Sequence, residues 1–504
     1  MLEKAIKWIK TYTISNQGVA VTSKRQISYP EVTGYLIPAL LSVGEHDLAR
    51  QYAEWLVSAQ KQDGSFYGAG DHCGYAFDTG QVIKGWNAML DRLPRLEMPL
   101  RKACDWIMET ADATTGRLLV PRTNTSWSLG RRGEVSEGIH LYVLPALRDT
   151  GEILNEPKYT RFANRSLDYY LNNSPLADFS QSNAMTHFFA YIQEALLELG
   201  CDDKALEGMV SVSEYQQPTG AIPAYSDVPW VCSTGMAQLA LVWYRLGDSG
   251  RADSALSFLE KFQNPSGGFF GSYGVQAEYF PSEEISWAPK FIIDAIQQKI
   301  ANHFDQTADH YRSDIAISDG RVQALLRHLG DLTDKNLLDA GCGKGRYSIF
   351  LKHCFPNANI TALDISLEML KDIPNAIKTV HHGLLNMPFP DHSFDSVICI
   401  EALEHVIQIE QGIQELTRVL APGGKLVIID KNHEKKGKLG VEPWEKWFEK
   451  DALLQFMKNN GLDALAEFIG YDQVLQPDGL FICWWGTKAQ GASTFTQGFR
   501  GQGA

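Results

Sequence analysis

The chain has 504 residues, 44% hydrophobic and 21% charged, the balance of a soluble protein with more than one core. A formal net charge of −14 argues against a nucleic-acid backbone as the main partner. Eight cysteines with no C-x-x-C pair fit reduced thiols rather than a zinc site, no apolar run reaches the length of a membrane span, and the charge-interrupted Met1–Lys10 segment is not a signal peptide. These features predict a cytoplasmic protein without a metal or a membrane span.

Residues 1–300 are self-similar. A small-residue, apolar, helix-like segment recurs at Thr33, Asp78, Ser136, Asn183, Ser233 and Ile285, roughly fifty residues apart. Between the copies lie more amphipathic helices, predicted over Asp47–Gln60, Pro99–Thr110, Tyr159–Asn172, Lys204–Tyr215 and Arg251–Phe262. Gly64, Gly116, Gly220 and Gly267 follow four of them and read as left-handed helix caps. The N-terminal helix and Asn16-Gln-Gly18 fit as the first copy. Six alternating pairs, with the apolar helices inside, resemble the (α/α)6 toroid shared by terpene cyclases, protein prenyltransferase β-subunits, and several polysaccharide lyases, glycosidases and sugar epimerases. Fold alone does not settle function.

The turns entering the apolar helices are rich in aromatic and titratable groups. Tyr29, Glu31, His72, Tyr75, Asp78, Glu137 and His187 are the expected rim residues. Aromatic faces beside carboxylates and imidazoles suit a pyranose, which has an apolar face and a polar edge, and such groups also serve acid–base chemistry. The bland readings stand beside this one. Asp78 and Glu137 precede helices and fit N-caps, and His187, like His140, has the apolar spacing of a core histidine. The Asp-x-Asp-Asp motif of alkene-protonating cyclases is absent, and His72-Cys73 lacks a third zinc ligand. Tyr29-Pro-Glu-Val-Thr-Gly-Tyr35 and Cys232-Ser-Thr-Gly-Met-Ala-Gln238 resemble segments of toroid proteins found with bacterial surface-polysaccharide enzymes.

The last helix of the repeat is expected to end near Asn302, closing a first domain over residues 1–302. A second domain is expected over 303–487, opened by Phe304–Tyr311, and the Gly- and Gln-rich 488–504 reads as a flexible tail. Within the second domain Leu337-Leu-Asp-Ala-Gly-Cys-Gly-Lys-Gly-Arg-Tyr347 ends an apolar strand, makes a side-chain-free turn and starts a helix. Glycines let that backbone approach a ligand, and the helix start offers free amides. A second strand, Asn359–Leu363, ends in Asp364, an acid placed to accept ribose hydroxyls. Met387–Asp395 then leads into the strand Ser396–Ile400, Glu401-Ala-Leu-Glu-His405 sits at its C-terminal end, and Ala421-Pro-Gly-Gly424 precedes the strand Lys425–Asp430.

This series resembles class I S-adenosylmethionine-dependent methyltransferases over about residues 305–487, nearest the branch that methylates small molecules, quinones and sugars among them. The resemblance implies a Rossmann-like seven-stranded domain with S-adenosyl-L-methionine as cofactor. Asp339, Gly341 and Gly343 would hold its methionine end, Asp364 its ribose, and Ile365 would pack on the adenine. Relatives often carry an Asp where this chain has Gly383, which leaves the amide of Leu384 as the adenine contact. Phe304–Tyr311 would be a lid, and the stretch with Trp444, Trp447 and Phe448 would lie against the acceptor. Glu401 and His405 are the candidate catalytic pair, with His405 as base; a helix-start histidine bonded to Glu401 is the structural alternative. The sequence thus predicts a multidomain α and α/β enzyme that methylates a small-molecule or glycan acceptor, in surface-polysaccharide synthesis, with the toroid engaging the substrate. Two alternatives are an isoprenoid or quinone methyltransferase with a prenyl-binding toroid, and a toroid that is only a scaffold.

Overall fold

The computed structural model describes residues 1–68, 73–119, 137–181, 183–436, 441–474 and 476–490. The chain divides into two compact units, Met1–Leu41 with Glu45–Asn302, and Ser42–Gly44 with His303–Ala504.

The first unit is helical. Its helices are α1 (Leu2–Thr11), α2 (Pro30–Ser42), α3 (His46–Ala59), α4 (Ala76–Asn87), α5 (Glu97–Thr110), α6 (Leu144–Ile153), α7 (Pro157–Asn173), α8 (Thr186–Glu198), α9 (Asp202–Ser213), α10 (Ser233–Arg245), α11 (Ser249–Glu260) and α12 (Trp287–Thr307). A helical turn, Glu137–Val143, leads into α6, and β1 (Val231–Cys232) pairs antiparallel with β2 (Ser272–Tyr273). Burial alternates along the chain. In α3 only Ala49, Tyr52, Ala53 and Leu56 are buried, one stripe at helical spacing. In α10 every residue but Arg245 is buried. The helices α2, α4, α8 and α10 are buried on nearly all sides, and α2 and α4 cross closely: a Cβ at Gly34 would overlap the Gln81 carbonyl, and one at Gly85 would overlap Gly34.

The odd-numbered helices are linked by a recurring device. Gln60 Nε2, just past α3, donates to Pro99 O in the first turn of α5 (2.9 Å) and to Gly64 O (3.1 Å). Gln216, past α9, donates to Arg251 O in α11 (3.0 Å). Gln263, past α11, donates to Met1 O (3.0 Å) and Gly267 O (2.9 Å). The glycines four residues on have positive φ, and a Cβ at Gly64, Gly220 or Gly267 would overlap the backbone of Lys102, Ser254 or Lys4 respectively. These glycines are thus not helix caps as the sequence suggests. They lie in turns beyond the helix ends, where a side chain would collide with the next odd-numbered helix. Around the same seam Trp8 Nε1 donates to Glu284 Oε2 at 2.7 Å, and Thr22 bridges to Ile285.

The helix α12 does not stop near Asn302. Asn302-His-Phe-Asp-Gln-Thr307 contains no glycine or proline, so nothing ends the helix until Thr307, whose Oγ1 donates to His303 O at 2.7 Å.

In the second unit, β3 (Asn336–Ala340), β4 (Asn359–Asp364), β5 (Lys378–His381), β6 (Phe394–Ile400), β7 (Leu420–Lys431), β8 (Leu462–Ile469) and β9 (Phe481–Lys488) form a seven-stranded sheet in the order β5-β4-β3-β6-β7-β9-β8. Strands β3 to β7 are parallel, and β9 runs antiparallel to both neighbours. Successive residues of a central strand enter opposite cores: Leu337 and Ile398 join the layer with Leu325 of α13 (Gly320–Leu329) and Leu351 of α14 (Arg346–Cys354), while Leu338 and Cys399 join Ile413 of α16 (Ile409–Val419) and Met457 of α17 (Lys450–Asn459). The short α15 (Leu367–Leu370) follows β4. No helix among the described residues is long and apolar enough to cross a membrane.

Candidate active site

In a parallel sheet, ligand groups collect at the C-terminal ends of the strands, beside the point where strand order reverses. Here that point lies between β3 and β6. Asp339 sits at the end of β3, buried, and accepts Ser348 Oγ at 2.7 Å. Burial pushes its carboxyl up to about 7. Gly341, Gly343 and Gly345 follow with φ of 77°, 52° and 72°, a backbone path that side chains disfavour. Gly345 is the N-cap of α14.

At the end of β4, Asp364 is tied into this turn. Its Oδ2 accepts the Gly343 amide at 2.8 Å, and its Oδ1 accepts Ser366 N at 2.9 Å. Burial raises its pKa despite these bonds. A Cβ built at Gly343 or at Gly383 would enter open space, so the turn and the β5 end both leave room for a ligand. Ile365 is half-buried beside them, and Leu384 begins a helical turn with its side chain in the core. An acid, open space beside Gly343 and Gly383 and an apolar flank at this point fit an S-adenosyl cofactor. The segment expected to act as a lid bonds within the same unit: Asp305 Oδ1 accepts Ser366 Oγ at 2.6 Å.

The expectation for Glu401 needs correction. This residue leaves β6 with φ 51° and points to two guanidiniums, Arg321 Nη1 at 2.7 Å and Arg346 Nη2 at 2.6 Å. Arg321 also bonds Asp319 at 2.8 Å and Asp472 at 2.7 Å. Glu401 is therefore committed to a charge cluster, and the carboxyl beside His405 belongs to Glu404, with Oε1 3.5 Å from His405 Nε2. Nothing in the sequence ranks Glu404 above Glu401 in Glu401-Ala-Leu-Glu-His405; the positive φ at Glu401 decides it.

His405 lies against Phe304, ring centroids 5.0 Å apart, and its Nδ1 is buried without a partner. Burial lowers its pKa to about 4, so the ring is neutral at physiological pH. Next to it three carboxyls surround one ammonium. Lys431 Nζ reaches Glu404 at 2.5 Å and Glu445 at 3.2 Å, while the buried Asp430 accepts Glu404 N at 3.1 Å. One cation does not neutralise three acids, so a proton is retained. Burial, then the Asp430 charge, push Glu404 up to about 11. Trp444, in the region expected to meet the acceptor, has a buried, unpartnered Nε1 and packs on His303 at 5.1 Å.

In the helical unit the expected rim residues separate into groups. Tyr29, Glu31, Tyr75 and His187 line one cavity of about 250 Å³. Asp78 lies behind its wall, fully buried, accepting Tyr29 Oη at 2.7 Å. Glu137 is drawn away to the Arg117 guanidinium, with Nε at 2.8 Å. His140 is buried, and burial lowers its pKa to about 4. His72 lies outside the described residues. Tyr191 and Trp287 complete the cavity wall around Glu31. Tyr191 stands one turn after His187 on the same helix face, a spacing from which it could have been inferred.

Comparison with known proteins bears on the second unit. A methyltransferase-domain family model matches residues 338–428. An uncharacterised protein of Methanocaldococcus jannaschii is 34% identical over 113 residues, covering 22% of this chain and 48% of the relative. A demethylmenaquinone methyltransferase of Listeria welshimeri is 37% identical over 105 residues, covering 19% of this chain and 44% of that protein. The chain thus spans about half the length of these curated relatives. A solved S-adenosylmethionine-dependent methyltransferase of Aquifex aeolicus aligns with 17% identity and a TM-score of 0.30, over 38% of this chain and 97% of that one. The glycine turn, Asp364 and the matched segment together make the C-terminal unit an S-adenosylmethionine-dependent methyltransferase domain.

Proposed function

We propose that the whole chain methylates a hydroxyl oxygen of a small, carbohydrate-type acceptor, with His405 taking the hydroxyl proton. One observation carries this reading: a neutral imidazole with a buried, unpartnered Nδ1, packed on Phe304 and three residues after Ala402, which lies against Gly341. The cofactor, when bound, supplies a methyl group on a positively charged sulfur. The chain's own part is alignment and proton removal. Glu404 Oε1 lies 3.5 Å from Nε2, and the unpartnered Nδ1 is the nitrogen proposed as the base. Arg321 and Arg346 hold Glu401, and with it the loop that positions His405.

We infer further that the first unit closes as an (α/α)6 ring. Support comes from the alternation of wrapped and striped helices and from the Gln263–Met1 and Trp8–Glu284 contacts that bring its ends together. The carbohydrate-type acceptor draws support from the cavity in that unit. Arg25, Glu31 and His187 interrupt its aromatic wall, a polar and aromatic lining that favours a sugar over a prenyl chain, for which continuous Leu, Ile and Phe would be expected.

The test is methyl incorporation from labelled S-adenosylmethionine into hydroxylated acceptors by the full chain and by His405→Gln. The variant is expected to lose roughly 10²–10⁴-fold in rate while binding S-adenosylhomocysteine normally in calorimetry. A variant that keeps its rate removes His405 as base. Incorporation into quinols but into no sugar removes the carbohydrate acceptor.

A further inference from the structure

The cavity in the helical unit, which also supports the carbohydrate-type acceptor proposed above, has features that the His405 chemistry does not use. Its wall is drawn from the segments leading into α2, α4, α8 and α12, from the Glu137–Val143 turn and from the loop after β2. Six sequence-distant segments therefore converge on one space of about 250 Å³. That lies just below the roughly 300 Å³ at which drug-sized sites begin, room for one small ring and not for an oligomer.

The wall combines flat apolar surfaces with a few directed polar groups. Phe280 and Trp287 face the cavity with ring centroids 6.2 Å apart and planes inclined by 30°. Glu31 receives long hydrogen bonds from Trp287 Nε1 (3.2 Å) and Tyr191 Oη (3.4 Å), and Tyr29 and Tyr35 also bond it. Its carboxyl lines the cavity.

A relay behind the wall sets the polarity of His187. Glu194 is deeply buried, yet Lys290, Arg245 and Lys84 hold it as a carboxylate: burial alone would raise it, and the three cations bring it down to about 2. Gln238 Nε2 donates to Glu194 Oε2 at 2.8 Å, which turns the amide oxygen toward His187. His187 Nδ1 lies 3.2 Å from that oxygen, so Nδ1 carries the proton and Nε2 is the lone-pair nitrogen. Glu31, which burial poises between donor and acceptor near neutral pH, and the acceptor His187 Nε2 thus stand with Arg25 and tyrosine hydroxyls in an aromatic frame.

This combination selects among ligand classes. Hydroxyl groups satisfy acceptors and a donor together, while C–H faces of a sugar ring lie on aromatic planes. A quaternary ammonium would meet the Arg25 charge in the wall and the Lys290 charge close to His187. A prenyl diphosphate needs several cations or a metal, whereas Arg25 is the one cation among the described lining residues, and no described cluster of His, Cys, Asp or Glu could hold a metal. We propose that this cavity binds a single hexopyranose unit, laid against Phe280 and Trp287 and bonded through its hydroxyls to Glu31 and His187. The inference rests on the cavity alone and does not depend on the His405 assignment.

Binding to the full chain, without cofactor, would be followed by tryptophan fluorescence and calorimetry. The probes are methyl gluco-, galacto- and mannopyranosides, glucuronate, geraniol and tetramethylammonium. At least one pyranoside or the uronate is expected to saturate, and a uronate preference would assign Arg25 to its carboxylate. Phe280→Ala, a half-buried loop position, is expected to weaken binding about tenfold, and Glu31→Gln several-fold, with S-adenosylhomocysteine affinity unchanged in both. Saturation by geraniol or tetramethylammonium in place of the sugars overturns the proposal. So does pyranoside binding that neither variant alters, and so does the absence of binding by every sugar probe. Since the readout is binding in the helical unit, its failure leaves the methyl-transfer result with His405→Gln intact, and the reverse.

Discussion

The Gly343 amide donates to Asp364 Oδ2 at 2.8 Å, tying the glycine turn after β3 to the end of β4. One carboxylate thereby shapes the turn and keeps lone pairs beyond those two amide bonds, as the expected ribose role requires. Asp364→Ala is expected to weaken S-adenosylhomocysteine binding by about 1.5–3 kcal/mol, the range for hydrogen bonds to a charged group. Calorimetry on the variant checks this, and unchanged affinity would remove the ribose role.

His405 should show an unusual pH response. Burial lowers its pKa to about 4, so the ring already lacks the extra proton above that value. The methyl-transfer rate is expected to show no His405 inflection from pH 5.5 to 7.5 and to fall only as pH drops toward 4, where the base is protonated. An acid limb centred near the ordinary histidine value of about 6.5 would contradict the burial argument.

Glu31 makes stability depend on pH in the opposite sense to an ion-paired acid. Burial raises its pKa from 4.5 to about 7. The folded chain then holds a proton that the unfolded chain releases. Its contribution is fully present below pH 4.5, declines as pH rises, and is lost above about 7. The size is roughly 3 kcal/mol. Glu31→Gln carries no such term, so the stability of wild type minus variant, from urea unfolding, should fall by about that amount between pH 4.5 and 7. A constant difference would mean the carboxyl ionises freely.

Gly267 has φ 98° and no space for a side chain against Lys4. Gly267→Ala is expected to destabilise the helical unit by about 1–3 kcal/mol or more. Gln263→Ala removes two hydrogen bonds and should cost about 1–3 kcal/mol. Thermal and urea melts measure both. Near-wild-type stability in the two together would show that this seam contributes little.

Residues 303–504, produced alone, should melt cooperatively and bind S-adenosylhomocysteine, with the residue 1–302 fragment folding as a separate helical unit. Loss of binding in the shorter piece would place part of the cofactor site elsewhere.

Much of the second unit was legible because its information is local. Leu337 to Tyr347 encodes strand, turn and helix in one short run, and Asp364 follows at the next strand end. Glu404 was not legible, because it and Glu401 are both acids near His405, and only the backbone angle at Glu401 sends one away to Arg321 and Arg346. The alternating helices of the first unit follow from apolar spacing, with boundaries moved by a few residues. The extension of α12 to Thr307 reflects a missing breaker rather than a positive signal. Long-range partners stay hidden: Glu137 reads as a rim acid until Arg117 is placed beside it. The Gln-to-carbonyl device escapes too, since each glutamine bonds a helix tens or hundreds of residues away.

That device has a mechanical consequence. An open stack of repeats has two end members that bond on one side only, and such ends must be specially built to face water. The bond from Gln263 to Met1 O ties the turn after α11 to the start of α1. Under the proposed ring closure, thermal disruption of the first helix breaks that bond at the same time and the odd-numbered helices have no frayed end member there.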